Sequence, residues 1–184
     1  MIRSFQPGLI QNLSDGSVNV GLQKVLLEDE AKHFIESLPS DSSIRIAHEY
    51  WSTLSEVQDG FPDRQDIDPI EMGSEVLPHI VLVDVEDGEP IRYRYQLVGS
   101  YVEDIFGANY AGQYLDEMEL GSMPDIVSTF FTAVGEKGQI AILDGTFISR
   151  IQIAFHVNRI AMPFAVGSNP IGALFCAFDK QETG

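Results

Sequence analysis

Residues 80–97 read Ile80-Val81-Leu82-Val83-Asp84-Val85-Glu86-Asp87-Gly88-Glu89-Pro90-Ile91-Arg92-Tyr93-Arg94-Tyr95-Gln96-Leu97. The first four are apolar and mostly β-branched, which suits a buried strand. From Arg92 the pattern alternates with period two, so Tyr93, Tyr95 and Leu97 share one face and Arg92 and Arg94 the other. Asp87-Gly88 between the two runs is a strong hairpin signal. Two antiparallel strands follow.

Working back from His79, Pro78 stops a short helix that opens at Asp68-Pro69-Ile70-Glu71. Asp68 can cap it, Pro69 suits the first helical position, and Glu71 can reach back to the cap. Before it, Asp41, Ser42 and Ser43 are N-cap candidates for a longer helix. Ile44, Ala47, Trp51 and Leu54 form its apolar stripe, and Gly60 ends it. Residues 22–38 space Leu22, Val25, Leu26, Phe34, Ile35 and Leu38 as a helix. Residues 1–21 read as a loose arm with room for a short strand at Val18–Val20. This divides the chain into an arm and helix at 1–43 and a main domain at 44–180.

Working forward, Gly99 to Glu119 reads as short helices and turns, and Pro124 to Glu136 as a helix bearing Ile126, Val127, Phe130, Phe131 and Val134. Gln139 to Phe178 reads as three strands. They break at Asp144-Gly145 or Ser149-Arg150, and again at Gly167-Ser168-Asn169-Pro170. Hairpin-joined strands around a helical middle predict an α+β fold: five antiparallel strands with helices on one face, plus the N-terminal helices.

The order of elements from His79 to Phe178 resembles a PAS domain. Asp66-Ile67-Asp68-Pro69, then Leu77-Pro78-His79-Ile80 and Asp84-Val85, are similar to the start of a PAS subfamily of small stand-alone bacterial proteins. Arg92-Tyr93-Arg94-Tyr95, Leu97-Val98-Gly99-Ser100, Phe106-Gly107 and Gly112-Gln113-Tyr114-Leu115-Asp116 continue the pattern, as does Tyr50-Trp51. Over the last strands only the element pattern and Met162-Pro163-Phe164 match. The resemblance implies a five-stranded sheet cupping a small cavity, and a sensor or interaction module that is usually not an enzyme. A chain of this length leaves no room for a kinase, cyclase or DNA-binding output domain, so the expected output is contact with a protein partner or a change of oligomeric state.

Composition narrows the partners. With 11 basic and 28 acidic residues in 184, the net charge is 11 − 28 = −17. Residues 1–125 hold 7 basic and 24 acidic groups and residues 126–184 hold 4 of each, so the excess sits in the first two thirds. This argues against binding nucleic acid or an anionic membrane. No run approaches the ~18 apolar residues of a membrane span, and the first eleven residues lack the apolar core of a signal peptide. The expected location is the cytoplasm.

The four histidines, His33, His48, His79 and His156, show no metal-ligand spacing, so no metal is expected. Haem-binding PAS domains place their axial histidine on the long central helix, and 124–138 contains none, so haem is not expected. Flavin photosensors of the family need a helical Asn-Cys-Arg, whereas the single cysteine, Cys176, sits in a strand run; a covalent flavin is not expected either. Asp66 and Asp68 read as a loop acid and a cap rather than as cation ligands. Arg92 and Arg94 read as partners for acids such as Asp84 or Glu86. Arg150 and Arg159, on strands that line a PAS cavity, are the better anion contacts.

The candidate pocket set is Tyr93, Tyr95, Leu97, Phe106, Phe130, Phe131, Ile142, Phe155, His156, Arg159 and Met162, which suits a small, largely apolar ligand. The stripe Ile44, Ala47, Trp51 and Leu54 has two readings: it packs on its own sheet, or it forms the symmetric interface of a homodimer. Three functions compete. The first is a regulatory module that binds a ligand, and the second an adaptor with a filled cavity. The third is a small cone-shaped isomerase or dehydratase using His156 with Asp144 or Asp84 for proton transfer.

Overall fold

The computed structural model describes residues 23–57, 60–118, 124–148 and 154–179. Strand β1 (Lys24–Leu27) leads directly into helix α1 (Glu28–Ser37), followed by α2 (Ser43–Val57), the one-turn α3 (Pro69–Met72), and the hairpin β2 (Ile80–Glu86) and β3 (Arg92–Val98). Helix α4 (Ser100–Phe106), helix α5 (Pro124–Gly135) and strands β4 (Ala141–Ile148), β5 (Ala154–Val166) and β6 (Asn169–Phe178) complete the order. The strands form one antiparallel sheet in the order β1-β4-β5-β6-β2-β3.

The sheet has six strands rather than the expected five. Lys24–Leu27, read from sequence as helix, pairs with β4 from Lys24↔Asp144 to Leu27↔Ala141. Alternation accounts for it: Leu26 is buried on one face, while Val25 and Leu27 pack toward the other. The chain then turns through Glu28, whose φ of 50° makes the corner into α1. Strand β4 runs unbroken through Asp144-Gly145; Ser149-Arg150 lies outside the described residues.

Helices cover both faces, not one. On the inner face, α4 and α5 bury Val102, Ile105, Phe106, Val127, Phe130, Phe131 and Val134 against β2–β6. On the outer face, α1 and α2 bury Ala31, Ile35, Ile44, Ala47 and Trp51 against Ile142, Ile160, Met162, Phe164 and Phe175. The two cores follow from the period of two in strands that are apolar on both sides.

The stripe on α2 therefore lies within its own chain. Ile44 and Ala47 have no exposed surface, Trp51 is buried, and Leu54 packs beside them. Helix α2 is fixed at both ends. Ser42 caps it, accepting from the Arg45 amide at 3.2 Å, and donates to Asp179 Oδ1 at 2.7 Å. Near the other end, the Trp51 indole N–H donates to the Pro163 carbonyl at 2.9 Å. Pro163 has no N–H, and the ladder with β4 ends at Ala141↔Ala161; the indole thus serves a strand edge that β4 no longer covers.

Candidate functional site

Alternation along the central strands selects which side chains reach the inner face. On β5 they are Val157, Arg159 and Ala161, on β6 Leu174, Cys176 and Phe178, and on β3 Tyr93 and Tyr95. Register places Arg159 opposite both Leu143 and Phe178. A guanidinium thus enters an interior that is otherwise aromatic and aliphatic.

Arg159 is 8 % exposed. Its guanidinium carbon lies 5.9 Å from the centroid of the Phe130 ring and 5.7 Å from that of Phe178. The Nε atom is sealed from solvent and has no hydrogen-bond partner among the described residues. Among the described residues no carboxylate forms an ion pair with this side chain. Burial pulls the Arg159 proton affinity down from its ordinary value, with Tyr95 and Cys176 opposing. The same burial pushes the Tyr95 hydroxyl well above its usual value and the Cys176 thiol up to about 12. Both neighbours are therefore neutral near neutral pH, while an arginine keeps its charge.

Aromatic rings build the walls. Phe131 lies 5.4 Å from Tyr93, 6.0 Å from Tyr95 and 5.5 Å from Phe130, and Phe106 meets Phe178 edge-on at 5.7 Å. Tyr93 also borders a surface cleft of about 440 Å³, with Ile91, Ser128, Thr132 and Glu136 among its walls. The Tyr93 hydroxyl is buried beside the Thr132 side chain, and the α5 terminus approaches so closely that a Cβ at Gly135 would lie 2.8 Å from the Tyr93 ring.

Of the sequence-predicted pocket residues, Tyr93, Tyr95, Phe106, Phe130, Phe131 and Arg159 come together. Leu97 does not. Val83 pairs with Tyr95 and Leu82 with Leu97, so Gln96 is an extra residue on β3, and this bulge turns Leu97 outward to 45 % exposure. Ile142 and Met162 are wholly buried in the outer core, one residue out of phase with the inner face. His156 is likewise on the outer face. The side chain of Phe155 lies outside the described residues, and so does Arg150. Phe178 and Cys176 belong to the site but were missed, because only the β5–β6 register shows that they flank Arg159.

The candidate proton-transfer pair forms, but elsewhere. His156 Nε2 lies 2.9 Å from Asp144 Oδ1 as a diagonal pair across β4 and β5, each side chain about a third exposed. The other acid considered, Asp84, is held by Arg64 at 2.7 Å and Arg94 at 2.8 Å. Arg94 also binds Glu86, and Arg92 forks onto Asp116 while lying 3.8 Å over the Tyr114 ring. Both arginines are thus engaged on the surface, Arg94 as expected with Asp84 and Glu86. His79 is buried against Tyr101, with ring centroids 4.2 Å apart. Asp68 caps α3 by accepting from the Ile70 amide. Among the described residues no three His, Cys, Asp or Glu side chains gather as a metal site, and no helix is long and apolar enough to cross a membrane.

A family model described as "PAS domain" matches residues 39–174. No curated protein matches the chain. A solved structure titled "Structure of an RNA-binding Light-Oxygen-Voltage Receptor" is similar at 14% identity with a TM-score of 0.45. The match covers 67% of this chain and 36% of that one, so this chain spans about a third of that protein's length.

Proposed function

The chain belongs to the PAS-domain family, and from that premise we propose that it is a non-catalytic sensory module that receives a small, largely apolar ligand between α5 and the inner face of the sheet. The observation that carries this reading is Arg159, a buried charge with no protein counter-charge among the described residues. A core built only for packing gains nothing from such a group, whose desolvation costs several kcal/mol. A binding interior uses it to orient what it receives.

Output by protein contact fits the connections around the site. Phe178, the register partner of Arg159, is followed by Asp179, which holds the start of α2 through Ser42 and the Ile44 amide. A change at the guanidinium is thus two residues from the cap of an outer helix. The enzyme reading draws less support, since His156 and Asp144 meet on the opposite face from the aromatic interior.

Native mass spectrometry of the freshly purified chain, under gentle and then denaturing conditions, tests the proposal. A mass excess that disappears on denaturation and is abolished by Arg159→Met supports it. A bare mass together with no stabilisation by any member of a small-molecule panel rejects it.

A further inference from the structure

Resting on the sensory reading above, we infer that the inner site is a receptor for monoanionic carboxylates with an apolar body, anchored by the guanidinium of Arg159. Arg159 sits on a strand paired on both sides, with Leu143 and Phe178 as its partners, so the anchor is fixed in place by two ladders. The Phe130 and Phe178 rings flank the guanidinium but offer no oxygen acceptor, and Nε finds no hydrogen-bond partner among the described residues. A planar fork of donors matches the two oxygens of a carboxylate.

Counting charge selects the monoanion. Tyr95 and Cys176 are neutral, as their raised proton affinities require. Acids on the same strands or next to them pair elsewhere: Asp84 with Arg64 and Arg94, Asp144 with His156 on the outer face, and Asp179 at the α2 cap. Among the described residues the side chains around Arg159 therefore leave one uncompensated positive charge. A neutral ligand leaves that charge unpaired, and a dianion such as a phosphate monoester replaces it with a buried negative one. Only a monoanion brings the site to neutrality. The remaining walls, Phe130, Phe131, Phe178 and Tyr95, favour an aromatic or aliphatic body.

Calorimetric titration of the full chain with benzoate and hexanoate, against benzamide and hexanamide as uncharged isosteres and phenyl phosphate as the dianion, decides the matter. The acids are expected to bind at least about tenfold more tightly than the amides, as loss of a charge-assisted bond requires. Arg159→Met is expected to bring the acids down to the amide level, and Arg159→Lys to retain part of the preference. Should the methionine variant not fold, the lysine variant and the isostere comparison carry the test. Amides or phenyl phosphate binding as well as the acids, or acids binding unchanged to Arg159→Met, overturn the carboxylate assignment while leaving a ligand-binding module in place. If no probe binds, the molecule released in the native mass measurement decides: a carboxylic acid supports the inference and a neutral compound overturns it. A bare mass in that case removes the sensory reading itself.

Discussion

Replacing Trp51 by Phe tests how the outer core is built. Trp51 is 8 % exposed, sits beside the fully buried Ile44 and Ala47, and donates to the Pro163 carbonyl at 2.9 Å. Phenylalanine keeps an aromatic ring but removes that donor, and a buried carbonyl left unpaired costs about 1–3 kcal/mol. The smaller ring adds roughly 1 kcal/mol of lost burial and incomplete collapse. The expected loss is about 2–4 kcal/mol, or on the order of 5–15 °C in Tm for a domain of this size. Urea unfolding should be followed by far-UV circular dichroism, because Trp51 is the single tryptophan and its fluorescence vanishes with the substitution. The wild-type-minus-variant difference should be the same at every protein concentration, since the contact lies within one chain. A loss below about 1 kcal/mol, or a difference that changes with concentration, refutes this placement and returns the α2 stripe to a subunit interface.

Gly99→Ala should cost more than about 3 kcal/mol in urea unfolding, because its Cβ would lie 2.2 Å from the Pro78 carbonyl oxygen and 2.9 Å from that of Ile80, both backbone atoms; a loss under 1 kcal/mol would mean the Pro78 turn moves freely. Cys176, with its thiol held up to about 12 by burial, should resist a thiol reagent at about pH 8 in the folded chain and react fully once urea unfolds it; rapid native labelling contradicts the sealed inner face. Burial raises the Asp179 carboxyl above the ordinary 3.8, against the pull of the bonds from Ser42 and Ile44. The folded chain then holds that proton more tightly than the unfolded one. The resulting stability is fully present below the unfolded value and is lost as pH rises through the folded value. Relative to Asp179→Asn, the wild type should therefore gain stability as pH falls from neutral toward about 4, and a gain in the opposite direction in pH-dependent urea midpoints counts against this account.

Local chemistry was legible where a residue's role is set by its near neighbours in the chain. Asp68-Pro69 and Asp41-Ser42-Ser43 announced helix starts, and Ser42 and Asp68 do cap α2 and α3. The alternation of Arg92-Tyr93-Arg94-Tyr95 divided inward tyrosines from outward arginines, as found. Six of the eleven expected pocket residues meet on the inner side, Tyr93 and Tyr95 through that alternation, Phe106, Phe130 and Phe131 from helices α4 and α5, and Arg159 from β5. The misplacements share a cause as well. Leu97 was lost to a bulge at Gln96, which no composition rule marks. Ile142, Met162 and His156 were assigned to the wrong face because β4 and β5 are apolar on both sides, leaving no polar phase to fix which residues turn inward. Lys24–Leu27 was read as helix because four residues beside a true helix carry too short a period to separate the two.

By itself the sequence determined the family, the α+β class, the hairpin at Asp87-Gly88 and the presence of an arginine on a strand of the central sheet. These rest on interactions between residues a few positions apart, which a linear pattern records. The tertiary structure alone decided that helices cover both faces, that β1 closes one edge, and that Phe130 and Phe178, 48 residues apart by numbering (178 − 130), flank an Arg159 that forms no ion pair among the described residues. Strand register and facing are settled by long-range packing between surfaces that are each apolar on both sides, and it is that register which turns one cation among eleven into a candidate anchor.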